Sequence, residues 1–129
     1  MGVNVSTRVS VCVSIATAIV ELRKDFNMEQ EILKFINDFK NCGGNPEAIE
    51  VVFTSGYCYW FAHILAHRFP NSEIMYDEVE NHFGTKINDK IFDITGDITL
   101  DYSWIPFSEL IERDELLYKR LKRDCIFKE

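Results

Sequence analysis

The fold of this chain is decided by residues 82–93, which read HFGTKINDKIFD. Short runs of β-branched and aromatic residues lie on both sides of the pair Asn88-Asp89, and such runs are typical of β-strands. Asn and Asp favour a tight turn, because both residues tolerate the backbone angles that a two-residue loop requires. The stretch therefore predicts a β-hairpin whose second strand runs from Lys90 to Thr95.

A two-residue loop would fix which side chains of the hairpin share a face of the sheet. Opposed residues point to the same face, as do residues two apart on one strand. His82 and Asp93 would then be diagonal neighbours, about 7–8 Å apart at the backbone, and the carboxylate would accept a hydrogen bond from the imidazole. Gly84 beside them would leave room for the tip of a helix. The predicted pairs are Ile87 with Lys90, Gly84 with Asp93, and His82 with Thr95.

Helical patterns lie on both sides of this hairpin. Asn27 is a suitable N-cap for one helix, and Gly43-Gly44 would end it. The predicted helices cover Met28–Lys40, Tyr57 to about Phe69, and about Glu109 to Lys122, with a further strand within Glu73–Val79. The predicted class is α+β: N-terminal helices, a cysteine-bearing helix packed on a small antiparallel sheet, and a C-terminal helix.

Length and composition indicate a single globular domain. The chain has 129 residues, of which 47% are hydrophobic and 27% charged, enough for one core but not for two. We divide it into an N-terminal helical extension, residues 1–27, and a core, residues 28–129. Met28 is also suited to be an alternative start, which would make the extension dispensable.

The N-terminal extension is open to two interpretations. Val9–Val20 is rich in apolar residues but too short to span a bilayer, so no stable membrane insertion is expected. The first 18 residues loosely resemble a signal peptide, which would imply secretion. The alternative is a first helix over Ser6–Phe26 packed on the domain. Four scattered cysteines without a C-x-x-C pair favour free thiols and a reducing, cytoplasmic compartment.

The charge of the chain bears on its partners. A net charge of −7 and an isoelectric point near 5.0 disfavour binding to a phosphate backbone, so nucleic acid is not expected as a partner. A protein or peptide substrate is expected instead, and the oligomeric state is left open.

Cys58 is the candidate nucleophile. It lies in the first turn of its predicted helix, where unpaired N–H groups and the helix dipole favour a thiolate and can hold a developing oxyanion. Helical spacing places Cys58 on the same stripe as Ala62, Leu65 and Phe69, which should pack on the sheet. A small buried cysteine with no chemical role is the alternative interpretation.

His63 and His67 lie on another face of the same helix. Their i, i+4 spacing is compatible with a metal ion, but no acidic residue follows His63 as in the H-E-x-x-H motif. We therefore expect neither a metal nor an organic cofactor, and the metal site remains a minor alternative.

Cys58, His82 and Asp93 together predict a catalytic triad. His82 would take the thiol proton and later protonate the leaving group, because the pKa of histidine lies near neutral pH. Asp93 would orient the ring and stabilise its protonated form.

The motifs GYCYWFA (residues 56–62), HF (residues 82–83) and KIFDIT (residues 90–95) resemble the core of the transglutaminase-like branch of the papain-like superfamily. NlpC/P60-type peptidases are a more distant likeness. The resemblance covers about a third of the chain, and Gly84 and Thr85 depart from its usual apolar pattern. It implies a papain-like core and a thiol hydrolase, a cysteine peptidase or amidase, or a transglutaminase-like acyltransferase.

The expected function is thus thiol-dependent cleavage or acyl transfer at a peptide or isopeptide bond. The alternative is a catalytically inactive scaffold that serves as a protein-binding or inhibitory module, since a fold alone does not imply activity.

Overall fold

The computed structural model describes the backbone of residues 5–127 and the side chains of residues 14–127. Most side chains of the segment that resembles a signal peptide therefore lie outside the described part of the chain. The chain divides into two compact units, Met1–Phe35 and Ile36–Glu129. Within residues 5–127, no helix combines the length and apolar character needed to cross a membrane.

The first helix, α1, runs without a break from Val5 to Asn41. The prediction of a helix start at Asn27 is therefore wrong. Neither glycine nor proline occurs between Val5 and Asn41, and one asparagine in a helix interior costs only about 0.7 kcal/mol relative to alanine. The cap that Asn27 would provide is too weak to interrupt the helix on its own.

The second unit contains the sheet and the remaining helices. Along the chain, two helices are followed by five strands and then by two more helices. The elements are α2 (Pro46–Thr54), α3 (Cys58–Arg68), β1 (Glu73–Asp77), β2 (His82–Ile87), β3 (Lys90–Asp93), β4 (Gly96–Asp97), β5 (Ile105–Pro106), α4 (Phe107–Arg113) and α5 (Glu115–Leu121), followed by a π-helical turn (Lys122–Ile126). The five strands form one antiparallel sheet in the order β4-β3-β2-β1-β5. The α+β class is confirmed.

The predicted C-terminal helix is two helices, α4 and α5. Asp114 separates them in a non-helical conformation, and its side chain accepts a hydrogen bond from the Leu117 N–H group at 3.0 Å. Asp is a poor residue for a helix interior and a good N-cap, so it ends one helix and begins the next.

The β2–β3 hairpin has the predicted two-residue loop. Ile87 pairs with Lys90 and Thr85 with Phe92, and Asn88 takes a φ of 56°, which asparagine tolerates better than most residues. The extension of β3 to Thr95 is wrong. The chain turns after Asp93, which pairs with Gly96 of β4, so Thr95 does not face His82.

The two faces of the sheet carry different clusters. On one face α3 packs against Phe83 and Thr85, and the Thr85 hydroxyl donates to the Ala62 carbonyl at 2.7 Å. Alternation along β2 and β3 places His82, Gly84 and Asp93 on the opposite face. That face is covered by a second apolar cluster, which consists of Met75, Ile91, Ile98, Tyr102 and Trp104.

Gly84 is required for packing on this second face. A Cβ atom at Gly84 would lie 2.7 Å from Ile91 Cγ2, 3.2 Å from Trp104 Cη2 and 3.3 Å from Ile98 Cδ1. The expectation that Gly84 makes room for a helix tip is therefore wrong, because α3 lies on the other face of the sheet.

We predict that Gly84→Ala lowers the free energy of unfolding by about 1–3 kcal/mol, the usual cost of overpacking a filled core. Ile91 Cγ2 is a branch methyl close to the backbone of β3 and has little freedom to move away. Urea denaturation of the variant measures the loss.

Gly43→Ala is the matched control, because a Cβ built at Gly43 would meet no described atom within 4 Å beyond Gly43 itself and its chain neighbours. Equal urea midpoints for the two variants would contradict the packing role of Gly84.

Candidate active site

Cys58 is the first residue of α3, and the preceding loop sets its position. Gly56 takes a φ of 112°, a conformation that residues with a Cβ rarely adopt. Tyr57 at the N-cap makes no capping hydrogen bond with its side chain. Its carbonyl accepts hydrogen bonds from the Trp60 and Phe61 N–H groups at 3.1 and 3.3 Å, whereas the N–H groups at the very start of an α-helix have no carbonyl of the helix to bond to. Cys58 therefore lies at the end of α3 that carries the partial positive charge of the helix dipole.

The helix is oriented as its apolar spacing predicted. Cys58, Ala62, Leu65 and Phe69 are all buried, whereas His63 and His67 are exposed. Among the cysteines that the structure describes with side chains, Cys42, Cys58 and Cys125 are not joined in disulfides. No group of three metal-binding side chains occurs among the described residues, so His63 and His67 lack a third protein ligand there.

His82 and Asp93 form a buried pair on the second face of the sheet. His82 Nε2 lies 2.8 Å from Asp93 Oδ2. Only 7% of His82 and 5% of Asp93 is exposed, so solvent screens the pair weakly. The pairing depends on the two-residue loop, which places both residues on one face.

The Cys58 thiol lies close enough to the His82 ring to act on its pKa. Burial by itself would lower the pKa of His82, but hydrogen bonds to Asp93 and Cys58 and the negative charge of both groups raise it to about 9. His82 is the first residue of β2 and Cys58 the first of α3, so thiol and ring meet at the end of the strand. Because Nε2 faces the carboxylate, Nδ1 is the nitrogen left to exchange a proton with the thiol.

Thr95 holds the other oxygen of Asp93. The Thr95 N–H group lies 2.7 Å and its hydroxyl 2.5 Å from Asp93 Oδ1. Sequence reasoning placed Thr95 in a strand opposite His82 and missed this contact. The signal was the D-x-T spacing, since a turn in which Asp bonds the backbone two residues on is common for this residue type.

Two aromatic side chains cover the His82 ring. Tyr102 stacks on it with centroids 4.8 Å apart and planes at 25°, and Trp104 lies at 6.1 Å. Burial raises the pKa of Tyr102, and nearby carboxylates add to the effect, Asp93 foremost. The tyrosine therefore stays neutral and acts as an apolar wall on one side of the imidazole.

Asp77 anchors the turn before His82. Its Oδ1 accepts from the Val79 and Glu80 N–H groups at 2.7 and 3.1 Å, and its Oδ2 from the Ser103 N–H group at 2.9 Å. Burial alone would raise the pKa of Asp77, but these three hydrogen bonds lower it below its usual value. Asp77 thus ties the start of β2 to the segment that carries Tyr102.

Comparison with known proteins identifies a family. A family model described as Phage YunG-like protein matches residues 32–122, more than two thirds of the chain, and the chain belongs to that family. No curated protein and no solved structure matches the chain.

The family assignment corrects the resemblance drawn from the motifs. The matching family is neither papain-like nor transglutaminase-like, so those assignments and the likeness to NlpC/P60-type peptidases are wrong. Its description does not point to a hydrolase, a thiol protease or a transglutaminase. Cys, His and Asp in a similar order occur on unrelated scaffolds, and three short motifs are too few to define a family.

We predict that the free energy of unfolding falls as pH rises from 6.5 to 9. The folded-state pKa of His82 is about 9 and that of free histidine about 6.5, so the stabilising proton is fully bound below pH 6.5 and lost through pH 9. The contribution is on the order of 1–3 kcal/mol. Urea titrations across this pH range measure it.

His82→Gln should remove most of this slope, whereas His63→Gln should keep it because His63 is exposed on α3. A wild-type slope in His82→Gln would show that another group is responsible.

Proposed function

We propose that this member of the Phage YunG-like family uses Cys58 as the nucleophile in acyl-group chemistry on an amide bond of a protein or peptide. The observation that carries the proposal is the buried hydrogen bond of His82 to Asp93, with the buried Cys58 thiol near enough to act on the same ring. The proposal rests on this geometry and on thiol chemistry, and does not depend on the motif resemblance.

The first half of the reaction forms a thioester. In the reacting form His82 Nδ1 already holds the proton of the Cys58 thiol, and Cys58 Sγ attacks the carbonyl carbon of the amide. The oxyanion that develops is held by N–H groups in the first turn of α3, including that of Cys58 itself. The C–N bond then breaks, and the leaving amine takes its proton from His82.

The second half releases the acyl group. Water or another nucleophile gives a proton to His82 and attacks the thioester, and the thiol leaves with the proton that His82 returns. Asp93 keeps its negative charge throughout and stabilises the imidazolium in both halves. Whether the acceptor is water or an amine depends on which nucleophile reaches the thioester.

The surroundings of His82 favour one direction for proton transfer. Asp93 occupies Nε2 and Tyr102 covers one ring face, so only the Nδ1 edge is left for the reaction. Cys58 is 7% exposed, which favours a slim, extended peptide segment over a folded surface as the substrate.

One observation favours a protein-binding or inhibitory module without catalysis. Two surface clefts of about 550 and 290 Å³ lie along the segment from Asp97 to Ser103, and Cys58 lines neither of them. On this alternative, His82 and Asp93 stabilise the sheet and the thiol is inert. The two functions differ in the reactivity of Cys58.

We predict that an electrophilic thiol probe labels Cys58 of the native protein, and that His82→Ala slows labelling at pH 7 by about 100-fold, the usual effect of losing a general base. Peptide-resolved mass spectrometry measures the rate at each cysteine. Exposed Cys42 is the internal reference, because no part of the proposed site surrounds it.

His63→Ala is the matched control and should leave the Cys58 rate unchanged. A native Cys58 that labels no faster than in His82→Ala, while the denatured chain labels fully, would support the binding module instead.

A further inference from the structure

The segment that contains Asp93 holds the same tripeptide twice. Asp93-Ile94-Thr95 and Asp97-Ile98-Thr99 are separated only by Gly96. In both, Oδ1 of the aspartate accepts hydrogen bonds from the N–H group and the hydroxyl of the threonine. The distances are 2.7 and 2.5 Å in the first copy, and 3.0 and 2.6 Å in the second.

The two copies differ in what the second carboxylate oxygen does. Oδ2 of Asp93 is buried against His82 Nε2 at 2.8 Å. Oδ2 of Asp97 lies on the exposed surface, 3.9 Å from Lys90 Nζ. The same local turn thus presents one carboxylate to the candidate site and the other to solvent.

The two threonines differ as well. The Thr99 hydroxyl also accepts a hydrogen bond from the Ile91 N–H group at 2.9 Å, so it joins two parts of the backbone. Thr95 is exposed and belongs to neither of the two apolar clusters described on the faces of the sheet. The contact of the Thr95 side chain with Asp93 is therefore its evident role.

We propose that Thr95 is a positioning residue of the Cys58-His82-Asp93 site, which fixes the carboxylate plane of Asp93 so that Oδ2 points at His82 Nε2. An aspartate carboxylate rotates broadly about its last torsion. Two donors on Oδ1 restrict that rotation, and the turn before Gly96, with its φ of 117°, brings both donors back to Asp93. The inference rests on the proposed function of Asp93 and adds a residue to it.

The test uses the full chain and two measurements that need no substrate. The chain has three histidines, so NMR of labelled histidine follows the titration of His82 directly. The rate of Cys58 alkylation by iodoacetamide at pH 7, resolved by peptide, reports the reactivity of the thiol. Thr95→Val removes the hydroxyl and keeps the shape, Thr95→Ser restores it, and Asp93→Asn is the reference for full loss of the carboxylate.

Thr95→Val should lower the His82 pKa by about half a unit and slow Cys58 alkylation about three- to tenfold, as expected for the loss of one hydrogen bond to a charged group. Thr95→Ser should restore both values. Thr99→Val is the matched control. It should lower the urea midpoint, because it leaves the Ile91 N–H group unpaired, but it should change neither the pKa of His82 nor the rate of Cys58 alkylation.

Two outcomes overturn the inference. In the first, Thr95→Val titrates like the wild type while Asp93→Asn lowers the His82 pKa. In the second, Thr99→Val shifts the pKa of His82 as much as Thr95→Val does, which would show that the shift follows from a general loss of stability. Failure of the proposed function is distinct: Cys58 alkylation would then not respond to His82→Ala, whatever Thr95 does to the titration of His82.

Discussion

The buried pair of His82 and Asp93 is the interaction on which the candidate site depends. An imidazole and a carboxylate at 2.8 Å and almost out of contact with water lose much of their hydration, and only a well-aligned hydrogen bond and opposite charges offset that loss. The surrounding residues supply this alignment. Thr95 donates a hydrogen bond to the second oxygen of Asp93, and Tyr102 stacks on the His82 ring. Both members of the pair are thus fixed by a neighbouring side chain.

The same pair links the stability of the sheet to the reactivity of the thiol. Hydrogen bonds and charges from Asp93 and Cys58 raise the pKa of His82 to about 9, against the effect of burial. In the proposed reaction the same ring holds the thiol proton, so its bond to Asp93 also bears on the reactivity of Cys58. A change that loosens Asp93 would therefore act on both properties together, although Asp93 does not itself contact a substrate.

Sequence reasoning was most successful where the residues determine local geometry. Asn88 and Asp89 predicted the two-residue loop, and period-two alternation then placed His82 and Asp93 together. The helical spacing of Cys58, Ala62 and Leu65 predicted the buried stripe of α3. The position of Thr95 and the face on which α3 packs could not be predicted in this way. They depend on where β3 ends and on which of two apolar faces each element covers, and neither is encoded in a single stretch of sequence.

The wrong family assignment has a related physical cause. A cysteine at a helix start, with histidine and aspartate on adjacent strands, satisfies local rules that any small α+β domain can meet. Such a pattern says more about the chemistry that a site can perform than about the family to which the protein belongs. In this chain the constraint is strict, because a slip of one residue in the β2–β3 register would move His82 and Asp93 to opposite faces. Asn88, which accepts the positive φ of the loop, is therefore as necessary to the site as the residues that form it.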